Sequence, residues 1–420
     1  MFILLKTLGC KANRYESDKL CELLLGRGDE VRQLSEGVRT LSFDSKAVDV
    51  LVVNTCTVTQ VADRKSRQVV YGLKRLYPSL QVIVFGCGSN VAPEDYKKLE
   101  GVDFVAKNTK EVFEIIEKLD HRNNLGKSSL KRTRALVKIQ DGCDNFCTYC
   151  IVPKARGRER SFSSKSILKE VKTYEKEGYK EIVLTGINIG EWEEDSLNIA
   201  DLLEILIQNT KSVRFRVSSI EPKNFSPKFY TLFKTGRLCP HMHMSLQSGS
   251  DSVLGRMRRN YLTKEFLEIC NKFKKAVPDI GLTTDVIVGF PGETEKEFEE
   301  TCKFVKKIGF LKIHVFPYSK RKDTAAYYMK DQIPEIVKKQ RAEKLRKIAD
   351  KMSTDFKKTL LGKTYEVLAE NPHGKIYKGF TPNYIPVQFL YTEERPITRE
   401  IVEVTLKKLQ KDGTVLGEIA

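Results

Sequence analysis

The chain has 420 residues, of which 73 are Lys or Arg and 55 are Asp or Glu, giving a formal charge of +18; 40% are hydrophobic and ten are cysteine. That hydrophobic share excludes a mostly disordered chain, and no apolar run reaches the ~20 residues needed to span a bilayer. The charge points to a polyanionic partner, nucleic acid before an anionic membrane surface. Around the short apolar stretch Phe2–Leu5 there is neither a basic leader nor a small-residue cleavage site, so a cytoplasmic location is expected. In a reducing compartment, ten cysteines are read first as metal ligands or catalysts.

Over residues 1–120, short apolar runs alternate with amphipathic stretches. Strands are predicted at 2–8, 49–54, 81–85 and 102–105, and helices at 13–27, 60–77, 93–99 and 109–119. Val50-Leu51-Val52-Val53 and Val82-Ile83-Val84-Phe85 lack period-2 polarity, as strands covered on both faces do, which predicts a doubly wound parallel α/β domain. Asn13 followed by Glu16 reads as a capping box at the first helix. Residues 121–134 hold five basic and no acidic residues and little to bury, and are expected to be a linker. The alternation then resumes, with strands predicted at 136–139, 181–184, 213–218, 242–246, 284–288 and 312–316. About six strand-helix units predict a partial (β/α)6 barrel within 135–357, ending in a Lys/Arg-rich helix at 334–361. Residues 358–420 change to five short strands between Gly, Pro and Asn turns, a small antiparallel β-barrel. Residues 121–357 carry 46 basic against 30 acidic residues, whereas each flank is only +1.

Cys143, Cys147 and Cys150 form a C-x3-C-x2-C triplet just past the first strand of the middle segment. Three thiolates this close can hold three irons of a cubane cluster, leaving the fourth iron open to a small ligand. A closed zinc site needs a fourth ligand, and His121 and His241 lie outside any usual finger spacing. Cys10, Cys56 and Cys87 each directly follow a predicted strand. In a doubly wound sheet the carboxyl ends of the strands face one crevice, so these three are expected to converge across sequence gaps of 46 and 31 residues. The alternative is three unrelated core thiols. Cys21, Cys239, Cys270 and Cys302 read as ordinary buried thiols.

These patterns together resemble the radical S-adenosylmethionine methylthiotransferases over essentially the whole chain. The resemblance rests on TLGCKANRYES, NTCTVT and FGCGSN, on the C-x3-C-x2-C triplet, and on CIVPKARGRERS, LTGINIG, RVSSIEP, HMSLQSGSDSVLGRMRRNY and DVIVGFPGETEKEF; residues 358–420 resemble the RNA-binding TRAM barrel. Within the family, TLGCKANRYES, HVFPYSKRKDTAA and GFTPNYIPV look most like the branch acting on N6-threonylcarbamoyladenosine at tRNA position 37; the other branches usually differ just after the first Cys.

The resemblance implies two 4Fe-4S clusters. One, on Cys143, Cys147 and Cys150, reductively cleaves S-adenosylmethionine; an auxiliary one, on Cys10, Cys56 and Cys87, holds the transferred sulfur, and a second S-adenosylmethionine serves as methyl donor. The expected product is the 2-methylthio derivative. By resemblance and location, Tyr149, Gly186, Ser218, Glu221 and Gln247 are the expected S-adenosylmethionine contacts. Arg156, Arg158, Arg160, Arg256, Arg258, Arg259, Lys320 and Arg321 are expected to face RNA, with Tyr384, Lys378 and Arg399 on the terminal barrel. The expected partners are the tRNA anticodon stem-loop, an unidentified electron donor and a sulfur source, with no membrane and a monomeric chain. The competing readings are action on isopentenyladenosine or on a ribosomal-protein aspartate, and a non-catalytic iron-sulfur or zinc RNA-binding protein.

Overall fold

The computed structural model describes residues 1–34, 48–120, 132–222 and 225–420. Five parallel strands come first: β1 (Phe2–Thr7), β2 (Glu30–Leu34), β3 (Val50–Thr55), β4 (Gln81–Gly86) and β5 (Phe104–Val105), in the order 2-1-3-4-5. Successive side chains of β1, β3 and β4 feed two cores. Ile3, Leu5, Val50, Val52, Ile83 and Phe85 face one, and Leu4, Leu51, Val53, Val82 and Val84 face the other, which is why these strands show no polar alternation. The edge strand β2 was not predicted; its sequence EVRQL leaves every residue at least partly exposed, so no apolar run marks it.

The first helix, α1 (Lys11–Arg27), begins at Cys10, whose side chain makes no cap hydrogen bond. The expected capping box is corrected here. Asn13 lies inside α1 and is fully buried, donating from Nδ2 to the carbonyls of Leu8 (2.9 Å) and Thr55 (3.0 Å), while Glu16 turns toward the central domain.

Six parallel strands make the central domain: 135–138, 181–185, 214–217 continuing after Ser218 as 219–220, 241–244, 281–288 and 312–317. The sheet turns at Ser218, where the third strand leaves its pairing with 181–185 and takes up pairing with 241–244. Outward residues such as Phe215, Val217, Met242, Met244, Leu282, Val286 and Val315 pack under the helices as one apolar core. The alternate residues, among them Arg214, Arg216, His241, His243, Thr283, Asp285 and His314, share the opposite, inner face.

Strands 135–138 and 312–317 each pair on one side only, so the barrel is open between them. The N-terminal domain covers that opening. From α1, Glu16 meets Lys138 at 3.0 Å and Lys19 meets Glu170 at 2.9 Å; across the gap, Gln60 Nε2 donates to the Lys320 carbonyl at 2.9 Å. The expected linker at 121–134 lies outside the described residues except for 132–134. Of these, Arg132 pairs with Asp18 at 2.5 Å and Arg134 with Glu181 at 2.8 Å.

The last five strands, 364–369, 376–380, 386–390, 401–409 and 415–419, close into a barrel. It is not wholly antiparallel as expected: 386–390 and 415–419 run parallel, with Val387 opposite Val415. A closed ring with an odd number of strands cannot alternate direction all the way round, so one parallel pair is required. Its loop 381–384 plugs the central barrel where the strands begin. Arg216 donates to the carbonyls of Pro382 (2.9 Å) and Thr381 (3.4 Å), and Tyr384 stacks on His241 with ring centroids 4.6 Å apart. Among the described residues, no helix is long and apolar enough to cross a membrane.

Candidate active site

Cys10, Cys56 and Cys87 follow β1, β3 and β4, which are adjacent in the sheet at the point where strand order reverses. The structure brings them together. The Sγ atoms of Cys10 and Cys87 lie 3.8 and 3.7 Å from the same oxygen, Asn13 Oδ1, and a Cβ placed on Gly9 would come within 2.9 Å of Cys56 Sγ. Gly9 has φ +104°, so the turn into the site needs glycine for both conformation and space. Two arginines attend the site. Arg156 Nη2 donates to Asn13 Oδ1 at 2.5 Å, and Arg321 donates to the hydroxyl of Thr57 beside Cys56. Burial pushes the Cys87 thiol up to about 12, against the pull of Arg156.

Cys143, Cys147 and Cys150 lie on the loop after strand 135–138. The loop turns at Gly142 (φ +71°), where a Cβ would sit 1.9 Å from the Arg158 carbonyl oxygen. Arg259 Nη1 donates to Cys147 Sγ at 3.1 Å, while its Nη2 pairs with Glu221 at 2.7 Å and its Nε meets the Tyr261 hydroxyl at 3.1 Å. Burial, reinforced by the neighbouring thiols, pushes Cys150 up to about 12. Among the described residues, the sole group of three metal-ligand side chains whose ligand atoms all fall within 4.8 Å of one another is His243, Asp285 and His314.

The five expected S-adenosylmethionine contacts lie at or near the carboxyl ends of the barrel strands, but with different jobs. Tyr149, between two cysteines, packs on the apolar group Val253, Met257, Phe290, Tyr318 and Ala326. At Gly186 the missing Cβ makes room for Gln140, whose carbonyl oxygen would be 2.7 Å away. Gln140 Oε1 in turn accepts from the backbone N–H groups of Ile187 and Asn188, both at 3.0 Å, and fixes that loop. Glu221 is bound to Arg259, and Gln247 holds a left-handed backbone (φ +65°) while bridging to Asp285 and Ile287. Ser218 Oγ is buried without a hydrogen-bond partner among the described residues, as are Thr185 Oγ1 and Asn188 Nδ2 on neighbouring loops. Buried polar atoms are almost always paired, so three orphans at adjacent strand ends are available to a polar ligand. Sequence reading missed Thr185 and Asn188, although LTGINIG contains both.

Comparison with known proteins agrees with this layout. Residues 137–305 match the model of the radical SAM superfamily, and residues 3–107 match that of the uncharacterized protein family UPF0004. The Bacillus subtilis threonylcarbamoyladenosine tRNA methylthiotransferase MtaB is 37% identical over 96% of this chain and 93% of its own length. The chain belongs to the radical SAM methylthiotransferases. The tRNA-2-methylthio-N(6)-dimethylallyladenosine synthase of Clostridium novyi is 36% identical over 88% of this chain and 85% of its own. Among solved structures, the radical S-adenosylmethionine methyltransferase TsrM from Kitasatospora setae has the same fold over 75% of this chain and 74% of its own, with TM-score 0.56 at 15% identity.

As a radical SAM methylthiotransferase, the chain is an enzyme that uses iron-sulfur chemistry and S-adenosylmethionine. The residues present fit these groups, with clustered thiols on polar loops and orphaned polar atoms beside them. The expected RNA-facing set changes. Arg156, with a side chain 6% exposed, is turned inward onto Glu16 (2.8 Å), Asp141 (3.1 Å) and Asn13; Arg259, 5% exposed, serves Cys147 and Glu221; Arg321 attends Thr57; and Arg256 grips Glu297 with both terminal nitrogens at 2.9 Å. Arg160 reaches Asp141 at 3.0 Å. Arg158 stays exposed over the Phe146 ring, Arg258 is exposed, and Lys320 lies over the ring of Tyr327. On the terminal barrel, Tyr384 is occupied by His241 and Arg216, and Arg399 by the Tyr179 ring, while Lys378 is exposed.

Proposed function

We propose that this enzyme converts N6-threonylcarbamoyladenosine at position 37 of tRNA to its 2-methylthio derivative. It would use one 4Fe-4S cluster on Cys143, Cys147 and Cys150 and a second on Cys10, Cys56 and Cys87. The observation that carries this reading is the facing of the two cysteine triplets. Arg156, at the end of the short helix Val152–Arg156 just past Cys150, reaches across to the asparagine that touches Cys10 and Cys87. When bound, the clusters supply the electron that cleaves S-adenosylmethionine and hold the sulfur to be transferred. The protein orients and screens. Thr185, Asn188 and Ser218 present unpaired polar atoms to the methionine and ribose groups, and Tyr149 gives the adenine an apolar wall. Arg259 holds a fixed positive charge against Cys147.

For RNA, the exposed cations Arg158 and Arg258 and the Lys320 ammonium, beside Phe146 and Tyr327, suit phosphate neutralisation with base stacking on a single-stranded loop. The chain is taken to act as a cytoplasmic monomer on the anticodon stem-loop, with a separate electron donor and sulfur source. The threonylcarbamoyl substrate is favoured because relatives of that name align over 92–98% of this chain, against 87–91% for the tRNA-2-methylthio-N(6)-dimethylallyladenosine synthases. Identities near 36% on both sides keep isopentenyladenosine as the second reading.

Nucleoside mass spectrometry of tRNA from a deletion strain separates the two. The 2-methylthio-N6-threonylcarbamoyladenosine peak should vanish and return on complementation; an unchanged peak refutes the proposal. Cys143→Ala should abolish S-adenosylmethionine cleavage, whereas Cys10→Ala should keep cleavage and stop thiolation.

A further inference from the structure

The inner face of the central barrel carries a polar row that no step above uses. His241 Nε2 lies 3.1 Å from Thr283 Oγ1, Thr283 Oγ1 lies 2.9 Å from His243 Nδ1, and His243 Nε2 lies 3.1 Å from Asp285 Oδ2. His314, on the next strand, completes the group: its ring centroid is 5.8 Å from that of His243. A carboxylate only accepts, so His243 donates to Asp285 from Nε2, takes the Thr283 proton at Nδ1, and leaves Thr283 to accept from His241 Nε2. His241 Nδ1 is then an acceptor; it is buried and has no partner among the described residues.

One cation bears electrostatically on this row. Lys11, the residue directly after Cys10, has Arg216, Glu181 and Arg134 as electrostatic neighbours and acts in turn on His241 and His314. Parts of Lys11, His243, Asp285 and His314 are solvent-accessible. Lys11 makes no ion pair among the described residues. Glu181 does not neutralise it, because its two oxygens already accept from Arg134, Arg214 and Arg216. An unpaired ammonium beside hydrogen-bond acceptors, next to the cysteine site proposed to hold the sulfur, is complementary to an anion that also carries donors. The His243, Asp285 and His314 atoms are close enough for a metal ion, but Lys11 and Lys312 both bear on His314 and oppose one.

We propose that Lys11, with His314 and the His241-Thr283-His243-Asp285 row, forms a subsite for the amino-acid arm of the modified adenosine, Lys11 binding its carboxylate and the row accepting from its hydroxyl and amide groups. This rests on the threonylcarbamoyladenosine reading above. The arm hangs from N6, on the same edge of the purine as C2, so a cation one residue from a sulfur-site ligand stands where the arm must lie when C2 faces the sulfur. The subsite explains discrimination: an isopentenyl group has no charge to offer Lys11, and its entry would leave His241 Nδ1 unpaired.

The test uses the cluster-reconstituted full chain and two anticodon stem-loop RNAs, one carrying N6-threonylcarbamoyladenosine and one its threonine carboxamide, which has the same shape without the charge. Methylthiolation kcat/KM and Kd by fluorescence anisotropy are measured for wild type, Lys11→Gln and His314→Gln, with iron content and S-adenosylmethionine cleavage recorded for each. Wild type should favour the carboxylate RNA by about tenfold to a hundredfold, the range of one charge-assisted hydrogen bond. In Lys11→Gln that preference should fall to near one, through loss on the carboxylate RNA alone, and His314→Gln should reduce it in part. Because the preference is a ratio within one protein, a uniform loss of clusters does not move it.

Modification of both RNAs with equal efficiency by wild type, or an unchanged preference in Lys11→Gln, overturns the subsite and leaves the functional reading standing. Failure of wild type to modify either RNA while it modifies an isopentenyladenosine RNA overturns the functional reading and the subsite with it. A stoichiometric zinc or manganese ion in wild type that is lost in Asp285→Asn also overturns the subsite.

Discussion

Glu181 is the single carboxylate at the start of the second barrel strand, fully buried, and three guanidiniums converge on it. Arg134 Nε and Arg216 Nε reach Oε1, both at 2.8 Å, and Arg214 Nε and Arg216 Nη2 reach Oε2 at 2.9 and 3.2 Å. Burial alone would raise its pKa, but the charges of Arg216, Arg134 and Arg214 hold it well below the usual carboxylate range. Glu181→Gln keeps the shape, removes the charge and turns an amide N–H₂ toward donors. Removing one partner of a buried, hydrogen-bonded charge set costs about 3–5 kcal/mol. At about 2–4 °C per kcal/mol for a domain of this size, the central domain should melt roughly 6–20 °C lower. Glu366 and Glu370 pair with Arg214 and Arg134 from the terminal barrel, but their side chains are 56% and 32% exposed. Their Gln variants should therefore lose only about 0–1 kcal/mol. Differential scanning calorimetry of the three variants, with hydrogen exchange of loop 381–384 read alongside, separates the cases. A Glu181→Gln protein within about 1 kcal/mol of wild type would refute the claim that this carboxylate anchors both the barrel and its plug.

Asp141 gives a pH prediction. Burial opposes its ionisation, yet Lys138 and Arg156 hold it at about 2, below its ordinary 3.8. A depressed carboxylate stabilises the fold above its unfolded pKa and loses that contribution as pH falls through the folded one; here about 2 kcal/mol should disappear between roughly pH 4 and 2, and Asp141→Asn should flatten that part of the stability curve. Arg156→Gln strips one cation from Glu16, Asp141 and Asn13 together and should lower the iron bound at the Cys10, Cys56 and Cys87 site while S-adenosylmethionine cleavage persists; full iron content with normal thiolation would contradict the role given to Arg156. Substituting Arg158, Arg258 and Lys320 together by Gln should reduce the slope of log K against log salt for stem-loop binding by about 2, from ~0.7 per phosphate contact. An unchanged slope would move the RNA elsewhere.

The sequence made the placement of the cysteines after strands legible, because a strand end followed by a cysteine is a local pattern. The adjacency of β1, β3 and β4 then follows from the doubly wound order. The fate of the arginines was not legible. Arg156 and Arg158 differ by two positions in one basic run, yet the first is buried against Glu16, 140 residues away, and the second is 75% exposed. A guanidinium's partner is fixed by domain packing, which no window of sequence contains. The inner row was hidden for a related reason. HMHM and GLTTDVIV alternate as half-buried strands do, and the polar half looks solvent-facing until the sheet curls and its inward side becomes a lined space. Asn13 was misread because an N-cap signature and a buried hydrogen-bond bridge use the same short polar side chain.

The opening between strands 135–138 and 312–317 gives these pieces one purpose. In a closed barrel the carboxyl ends of the strands would be reached from one end only, and a second cysteine site would have to compete with the substrate for that entrance. Here the first and last strands stay unpaired with each other, and the N-terminal domain brings its own strand ends to the gap through Glu16, Lys19 and Gln60. Docking at that edge costs inward-facing charge. Most of the arginines near the cysteines are spent on Glu16, Asp141, Glu221 and Glu297, so they leave little free charge for RNA beside the cysteines. Lys11 is different from those arginines. It lies beside the same gap without a carboxylate of its own among the described residues, so the partner that balances it has to arrive with the substrate.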